Sequence, residues 1–171
     1  MRVDERIVVL RGDITLVDAE AIVNAANTSL LGGGGVDGAI HIAAGPGLLA
    51  ECRLLNGCPV GEVKITQGHN LKAKYILHTV GPVWRGGAHD EHMLLASCYR
   101  KVMEAAASLK VKTLAIPAIS TGVYNFPADE AANIAVNEIR RILAKKRHPD
   151  TVYLVAFSDR QYELYKKTLC Q

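Results

Sequence analysis

The sequence predicts an α/β protein in which a largely parallel β-sheet lies between two layers of helices. Segments with strand-like composition alternate with segments of helical periodicity, as they do in α/β folds. Several of the strand-like segments are almost entirely apolar, which is typical of parallel strands buried on both faces. With 171 residues, 49% of them hydrophobic, the chain is expected to form a single domain, residues 1–171, around one substantial core.

Four of the six predicted strands lie in the first half of the chain. They are the apolar or alternating segments Ile7–Leu10, Ala21–Ala25, Glu62–Gln67 and Tyr75–Val80. The first two are rich in β-branched residues, and we expect both to be buried. Between the second and third strands, helix-forming residues predict helices over Val36–Ala44 and Leu48–Leu55, separated by Gly45-Pro46-Gly47.

The second half is predicted to contain three helices and two strands. Apolar residues recur at helical spacing in Asp90–Leu109 and predict one buried face, formed by Leu94, Cys98, Val102, Ala105, Ala106 and Leu109. A long helix begins near Pro127, carries basic residues in its last turn at 145–147 and stops before Pro149. The remaining predicted elements are the strands Thr113–Ile116 and Thr151–Phe157 and a closing helix at Asp159–Leu169.

The composition argues against several classes of protein. With 20 Lys and Arg against 17 Asp and Glu, the net charge is only +3, far from the strongly basic character of a nucleic-acid-binding protein. The amino terminus lacks an apolar signal segment, and no apolar stretch predicts a membrane span. The four cysteines contain no CxxC pair, so neither a disulfide framework nor a zinc knuckle is predicted. We therefore expect a cytoplasmic protein with reduced thiols and no membrane partner.

The stretch Asn24–Gly38 concentrates most of the potential chemistry. The consecutive glycines Gly32–Gly35 can adopt backbone angles closed to other residues, so their N–H groups can converge on a ligand oxygen. Gly33–Gly38 also fits the GxGxxG pattern of dinucleotide-binding folds, but it does not directly follow the first strand. The acids about 20 residues further on, Glu51 and Glu62, do not end a strand as that fingerprint requires. The pattern therefore favours a phosphate-binding loop over a dehydrogenase.

Asp37 is an unexpected residue beside a phosphate-binding loop. At ~7 Å and an effective dielectric constant of ~20, a carboxylate repels a phosphate by about 2 kcal/mol before salt screening. The repulsion is tolerable if Asp37 positions or deprotonates a water that attacks the substrate. Alternatively, Asp37 caps the following helix by accepting its backbone N–H groups. The residues alone do not separate catalysis from capping.

Other polar groups follow the predicted strands, whose carboxyl ends meet at one edge of a parallel sheet. Asn24 and Asn27 suit either a pair of ribose hydroxyls or a turn. Asp13 either forms a turn before Thr15 or accepts a hydrogen bond from the amine of an adenine. Ser120-Thr121-Gly122 offers hydroxyls and a second permissive backbone at the end of another strand. Two such loops facing each other predict a ligand that carries phosphate.

The histidines and large aromatic residues are not predicted to be functional. His89 and His92 have the i, i+3 spacing of a metal pair, but they lie among charged residues, which indicates a solvated helix start. No other histidine has cysteine or acidic neighbours at metal-ligand spacing, so no metal site is predicted. The residues assigned to structural or packing roles are His41, His69, His78, Trp84 and Tyr99.

Several motifs agree in order and spacing with one protein family over nearly the whole chain. They are Gly12-Asp13-Ile14-Thr15, Val23-Asn24-Ala25-Ala26-Asn27, Gly32–Gly38, His78-Thr79-Val80-Gly81-Pro82 and Ile119-Ser120-Thr121-Gly122-Val123-Tyr124. Together they resemble the macrodomain family, in its MacroD-type hydrolase branch. The resemblance implies a three-layer α/β/α macrodomain fold with a mixed, largely parallel central sheet. It also implies a pocket for ADP-ribose, with no cofactor and no metal.

The resemblance further implies a role for each site residue. Asp13 would hold the adenine amine, Ile14 would contribute backbone contacts, and Phe157 would lie near the adenine face. Asn27 would orient the distal ribose, and Asp37 is implicated in the hydrolysis of groups attached to that sugar. The loops that would wrap the diphosphate and the distal ribose consist of Gly33, Gly34, Gly35, Val36, Ser120, Thr121, Gly122, Val123 and Tyr124.

The reactions implied by the resemblance are deacetylation of O-acetyl-ADP-ribose and removal of mono-ADP-ribose from acidic side chains of proteins. Two alternatives use the same pocket: a non-catalytic module that only binds ADP-ribose, and a phosphatase acting on ADP-ribose 1″-phosphate. One departure from the family pattern is Ile42, where close relatives often have a basic residue. We expect Ile42 to alter contacts at the surface, and hence the protein substrate, more than the chemistry.

Overall fold

The computed structural model describes all residues, Met1–Gln171, and contains one six-stranded sheet. The strands are β1 (Ile7–Arg11), β2 (Ala21–Ala25), β3 (Val63–Gln67), β4 (Tyr75–Thr79), β5 (Thr113–Pro117) and β6 (Thr151–Ala156). Their order across the sheet is β1-β6-β5-β2-β4-β3, and every neighbouring pair is parallel except β4 and β3. The predicted α/β fold with a mixed, largely parallel sheet is confirmed.

Helices cover both faces of this sheet. They are α1 (Gly35–Ala44), α2 (Pro46–Leu54), α3 (Glu91–Leu109), α4 (Ala128–Leu143) and α5 (Asp159–Leu169), with short 3-10 turns at Val3–Arg6 and Ile14–Leu16. Because side chains alternate along a strand, Ala21 and Val23 of β2 pack in the core on the α3, α4 and α5 side. Ile22 of the same strand packs with α1 and α2 on the other side. The three layers predicted from the alternating elements are therefore present.

The prediction that both amino-terminal strands are buried is wrong for β1. Strand β2 lies inside the sheet, between β5 and β4, and its first four residues are buried. Strand β1 is an edge strand that pairs only with β6, and Ile7 is its one buried residue. The β-branched composition of β1 indicates a strand but does not determine where in the sheet that strand lies.

Helix α2 begins at Pro46, two residues before the predicted start. Gly45, at φ +84°, is the only residue between α1 and α2, and its N–H donates to the carbonyl of His41. Proline is suited to the first turn of a helix because the backbone N–H that it lacks has no partner there. The predicted interruption at Gly45-Pro46-Gly47 is therefore a single-residue break.

The buried face of α3 is wider than the prediction. Leu95, Tyr99 and Met103 are buried together with the predicted Cys98 and Val102, whereas three of the predicted residues are only half-buried: Leu94, Ala105 and Leu109. Tyr99 can occupy the core because its hydroxyl accepts a hydrogen bond from the backbone N–H of Ile119, at 3.2 Å. The packing role predicted for Tyr99 is confirmed.

Helix α4 ends at Leu143, so the basic residues at 145–147 lie beyond its last turn rather than in it. The last turn itself carries Arg140 and Arg141, and a further arginine, Arg6, reaches this end of the helix from the start of the chain. Arg6 donates to the carbonyl oxygens of Leu143 at 2.9 Å, Arg147 at 2.9 Å and Pro149 at 2.6 Å. The contact with Leu143 satisfies a carbonyl group that a helix end leaves without a partner, and it cannot be read from local sequence.

The cysteine thiols are unpaired and mostly buried, as the composition predicts. All four cysteines are free, and only Cys170 is exposed. Burial, followed by the nearby Glu51 and Asp37 charges, raises the pKa of the Cys52 thiol to about 11. None of the helices is long and apolar enough to span a bilayer.

Candidate functional site

A cavity of about 1010 Å³ lies at the edge of the sheet where the parallel strands end. The loops after β1, β2, β5 and β6 form its walls, as expected for a ligand site in an α/β sheet. The predicted site residues that line it are Asp13, Ile14, Asn27, Gly33, Gly34, Gly35, Val36, Asp37, Ser120, Thr121, Gly122, Val123, Tyr124 and Phe157. Asn24 is the one predicted site residue that is not part of its lining.

The cavity is elongated because of the order of the strands in the sheet. Strands β1 and β2 are separated by β6 and β5, so the loops that follow them lie about 14 Å apart at ~4.8 Å per strand spacing. Asp13 follows β1, and the glycine run with Asp37 follows β2. A smaller hollow of about 550 Å³ adjoins Asp13 on the open face of β1 and β6, away from the glycine run.

Asp37 lies in the first turn of α1 and is only 4% exposed. Its Oδ1 atom accepts a hydrogen bond from the Asn24 side-chain amide at 2.9 Å. Its Oδ2 atom lies beside Gly33, where an added Cβ would be only 3.1 Å away. No side chain caps the start of α1, so the structure does not have the predicted capping arrangement. The carboxylate is instead held between the sheet and the glycine run.

Asn24 does not reach the cavity. It therefore fits neither of its two predicted roles, a ribose ligand or a turn-forming residue. It lies within β2, is fully buried, and contacts the His78 ring Nδ1 at 3.0 Å as well as Asp37. The strand turns its side chain under α1 rather than toward the cavity, since it shares a face with Ile22. Asn24 therefore supports Asp37 from behind.

Asn27 borders the cavity and also orders the loop that leads into the glycine run. Its Oδ1 atom accepts from the backbone N–H of Ser29 at 3.0 Å and from the Ser29 hydroxyl at 2.5 Å. Its Nδ2 atom donates to the Gly32 carbonyl at 2.9 Å. These bonds are those of a turn-forming asparagine, and they bring its amide to 3.3 Å from the position that a Cβ of Gly33 would take.

The Asp13 end of the cavity is built by local contacts. Asp13 is exposed, and its Oδ1 atom accepts from the backbone N–H of Thr15 at 2.9 Å and from the Thr15 hydroxyl at 2.7 Å. The turn predicted before Thr15 is therefore present. Ile14 is buried beneath it, while the Phe157 ring, which follows the neighbouring strand β6, is 81% exposed. An open aromatic face of this kind can stack on a ligand ring.

The second wall of the cavity is the loop that follows β5. Ser120 has a left-handed backbone, φ +67°, and its buried hydroxyl has no hydrogen-bond partner. Gly81 packs directly against it, because a Cβ at Gly81 would collide with Ser120 Oγ. The backbone N–H of Trp84 donates to the Tyr124 carbonyl at 2.8 Å, and the Trp84 ring packs on Phe126 at 4.9 Å between centroids. The loop after β4 thus fixes the loop after β5.

Glu91 anchors the loop after β4. The sequence does not predict this role. Its buried carboxylate accepts from the backbone N–H groups of Arg85, Gly87 and His89 at 2.6 to 2.9 Å. Burial by itself raises the pKa of Glu91, but these hydrogen bonds outweigh it and hold the pKa at about 2. The only signal in the sequence is an acid at the start of a helix, which does not reveal three backbone donors.

His92 lies at the surface, whereas His41 is half-buried beside Asp37. His92 Nε2 lies 2.9 Å from Glu130 and its ring packs on Trp84, and no group of three or more His, Cys, Asp or Glu side chains could hold a metal ion. His41, predicted to be structural, places Nε2 3.5 Å from Asp37 Oδ1. The i, i+4 spacing of Asp37 and His41 on one helix is the signal that could have indicated this proximity.

Arg160 and Gln161 also line the cavity, at the start of α5. They follow Ser158, which caps this helix by accepting from the Gln161 N–H at 3.1 Å. The positive end of a helix and an arginine at the cavity edge both favour an anionic ligand. Their position directly after β6, at the carboxyl edge of the sheet, is the feature that would have predicted them.

Comparison with known proteins identifies the class to which this fold and cavity belong. The family model described as Macro domain matches residues 23–135, and the chain belongs to that family. It is 51% identical, over 96% of its length, to O-acetyl-ADP-ribose deacetylase 1 of Pantoea vagans, and this match covers 99% of that protein. It is 52% identical, over 96% of its length, to human ADP-ribose glycohydrolase MACROD2, of which the match covers 39%.

A solved structure shares the whole architecture. The macrodomain of Oceanobacillus iheyensis, in a glycine-to-valine mutant solved with ADPR, superposes with a TM-score of 0.91. The two chains are 44% identical, and the match covers 95% of this chain and 90% of that one. The three-layer macrodomain fold implied by the sequence motifs is therefore confirmed.

Proposed function

We propose that this protein binds ADP-ribose and hydrolyses esters at its distal ribose. The proposed substrates are O-acetyl-ADP-ribose and proteins that carry mono-ADP-ribose on acidic side chains. Relatives that match 96% of the chain are named as an O-acetyl-ADP-ribose deacetylase and an ADP-ribose glycohydrolase. The cavity, the paired loops and the similar macrodomain solved with ADPR support the same ligand.

The observation that carries the proposal is the placement of Asp37. A carboxylate in the wall of a site for a diphosphate weakens binding through charge repulsion. A protein that only held ADP-ribose would gain nothing from it. Asp37 is nevertheless buried and oriented by Asn24, with Oδ2 left beside the glycine run. Such an arrangement suits a group that acts on the sugar next to the diphosphate.

The ligand would lie along the cavity from Asp13 to Asp37. Asp13 and Phe157 would hold the adenine, and the backbone N–H groups of the glycine run and of the loop after β5 would bind the diphosphate. The distal ribose would then lie near Asn27 and Asp37. The proposed length, about 14 Å between the loops after β1 and β2, suits an extended ligand of this kind.

In the proposed reaction, Asp37 Oδ2 accepts a hydrogen bond from a water and directs its oxygen at the carbonyl carbon of the ester. A bond forms between the water oxygen and that carbon, and the bond from the carbon to the ribose oxygen breaks. The ribose oxygen takes up the proton that the attacking water loses, and the products are ADP-ribose and a free carboxylic acid. Because a carboxylate is a weak base in neutral water, orienting the water matters at least as much as removing its proton.

The proposal is tested by incubating the protein with O-acetyl-ADP-ribose and with a glutamate-ADP-ribosylated protein, and following the products by mass spectrometry. We expect both esters to be cleaved. Asp37→Ala should lose turnover while still binding ADP-ribose in calorimetry. Asp150→Asn, an exposed aspartate in the loop before β6, serves as the matched control.

Two other outcomes would point to different functions. If the wild-type protein binds ADP-ribose but cleaves neither ester, it is a binding module and the proposed hydrolysis is wrong. If ADP-ribose 1″-phosphate is cleaved much faster than either ester, the protein is a phosphatase that uses the same cavity. Rates measured side by side at saturating substrate rank the three reactions.

A further inference from the structure

A buried strip of polar side chains runs beneath Asp37, between the sheet and α1. Its members Asn24, His78 and Thr66 are each no more than 1% exposed, although the surrounding layer of the core is apolar. The sheet register brings them together. Asn24 of β2 is directly opposite His78 of β4, and Thr66 of β3 is opposite Ile76, two residues from His78 on the same face.

The hydrogen bonds of this strip have one consistent direction. Burial, followed by the charge of His41, lowers the pKa of His78 to about 4, so its ring is neutral at physiological pH, with one donor and one acceptor nitrogen. The Thr66 hydroxyl donates to the Gln67 carbonyl at 3.1 Å, so its oxygen accepts from His78 Nε2 at 2.9 Å. The ring proton is then on Nε2, and Nδ1, which lies 3.0 Å from the Asn24 amide nitrogen, is the acceptor.

This direction determines which way the Asn24 amide faces. Both hydrogens of its Nδ2 atom are used, one for Asp37 Oδ1 at 2.9 Å and one for His78 Nδ1. If the amide rotated by half a turn, its carbonyl oxygen would face both the carboxylate and the acceptor nitrogen of the ring. Two acceptors in contact are unfavourable, and more so when they are buried. The acceptor on His78 therefore reinforces the amide orientation that donates to Asp37.

We propose that His78 is a positioning residue for Asp37, acting through Asn24. By accepting from Asn24, it keeps Oδ1 of the Asp37 carboxylate bound to the sheet and leaves Oδ2 on the side of Gly33. The inference rests on the proposed function, because it assigns His78 a part in placing the group that orients the attacking water. His78 itself is fully buried and does not line the cavity.

The test compares His78→Leu, which removes the acceptor, with His78→Asn, whose carbonyl oxygen can replace Nδ1. His78→Leu should lower kcat for O-acetyl-ADP-ribose about 10- to 100-fold, because small displacements of a reacting group are costly. KM and the Kd for ADP-ribose should change less than about threefold, because the diphosphate loops are not altered. His78→Asn should restore most of the lost kcat. Thr66→Val, which removes only the next hydroxyl, should lower kcat by a smaller factor.

His69→Asn is the matched control, because it makes the same substitution on the loop between β3 and β4. At φ +53° this position suits asparagine, and the side chain pairs with Glu51 away from the strip. Wild-type kcat in both His78→Leu and Thr66→Val would contradict the inference. A second outcome would also contradict the inference: His78→Leu loses kcat and ADP-ribose affinity in parallel, and His78→Asn does not restore them. That pattern indicates a general structural role.

A measurement on the wild-type protein separates this inference from the proposed function. Nitrogen-15 NMR of the histidine side chains should show His78 protonated at Nε2 and not at Nδ1 above pH 6. A proton on Nδ1 would contradict the inference whether or not the protein is an enzyme. If the wild-type protein does not hydrolyse the esters, only the proposed function is contradicted. The tautomer of His78 then still tests whether this residue holds the Asn24 amide.

Discussion

Asp37 and Asp13 border the same cavity, yet Asp37 is 4% exposed and bound by an amide from β2, whereas Asp13 is exposed and bound only by Thr15. Behind the Asn24 amide stand two further buried polar residues, His78 of β4 and Thr66 of β3. Asp13 has no such support. A group that must direct a reacting atom needs one fixed orientation, while a group that only recognises a ligand can be ordered by the ligand itself.

Replacing the two carboxylates by amides is the most direct test of this difference, and Asp37→Asn should have the largest effect. The substitution keeps the shape of the side chain but removes the charge that orients water, so kcat for O-acetyl-ADP-ribose should fall at least about a hundredfold. The Kd for ADP-ribose should stay the same or decrease, because the repulsion of the diphosphate is also removed. Steady-state kinetics and calorimetry on the same preparation measure both. An unchanged kcat would show that Asp37 is not part of the reaction.

The sequence predicts the elements that carry these aspartates far better than their contacts. Five helices and six strands follow from periodicity and turn residues, because those signals depend on neighbours along the chain. The turn at Asp13 was among the predicted alternatives for the same reason, since its partner is two residues away. The alternative in which Asp37 caps α1 does not hold, because Asn24, the actual partner of Asp37, reaches it through the fold of β2 beneath α1.

Contacts between distant segments account for the other differences. His78 could not be connected with Asp37 until the register of β2 and β4 was known, since it is apposed to Asn24 across strands. The predicted end of α4, after the basic residues at 145–147, was wrong, and the contact of Arg6 with the Leu143 carbonyl at the actual end could not be predicted either. In each case a polar residue inside an apolar segment, or a charge without a local partner, was a sign that a long-range partner exists. The identity of that partner required the structure.

The buried strip should also make the Asp37 region sensitive to acid. An unfolded histidine has a pKa of about 6.5, whereas folding lowers the pKa of His78 to about 4, so between these pH values the unfolded state binds a proton that the folded state does not. The free energy of unfolding should therefore decrease as the pH falls from 6.5 to 4. Each pH unit between the two pKa values contributes ~1.4 kcal/mol, so the free energy of unfolding should decrease by about 3 kcal/mol in total.

Urea denaturation of the wild type and of His78→Asn across this pH range measures the effect of His78 alone. The difference between the two stabilities should narrow or reverse as the pH falls from 6.5 to 4. Below pH 4.5 a second loss should set in for both proteins, because the carboxylate of Glu91 has its pKa lowered to about 2 and loses its advantage as it becomes protonated. Parallel curves between pH 6.5 and 4 would mean that His78 is not held neutral.

Gly33→Ala tests how closely the glycine run is fitted to the Asp37 end. Its Cβ would lie 3.1 Å from Asp37 Oδ2 and 3.3 Å from Asn27 Nδ2, so one of these groups must move. We expect kcat to fall about tenfold, since both groups would act on the distal ribose. Gly34→Ala gives the comparison, because its Cβ would meet no protein atom within 4 Å. Any effect of Gly34→Ala must then arise from contact with the ligand and appear in KM, and equal losses of kcat in the two variants would refute this interpretation.

The smallest effect is expected at the other end of the cavity, from Asp13→Asn. The amide can still form the turn with Thr15, and it can still accept from an adenine amine, but the bond is no longer charge-assisted. A loss of about 1 kcal/mol, or roughly fivefold in the Kd for ADP-ribose, should result, with kcat at saturating substrate unchanged. Asp18→Asn, an exposed aspartate of the same loop that does not line the cavity, is the control. If Asp13→Asn lowered kcat as much as Gly33→Ala, the two ends of the cavity would be coupled. The division between a rigid reacting end and an adaptable recognition end would then not hold.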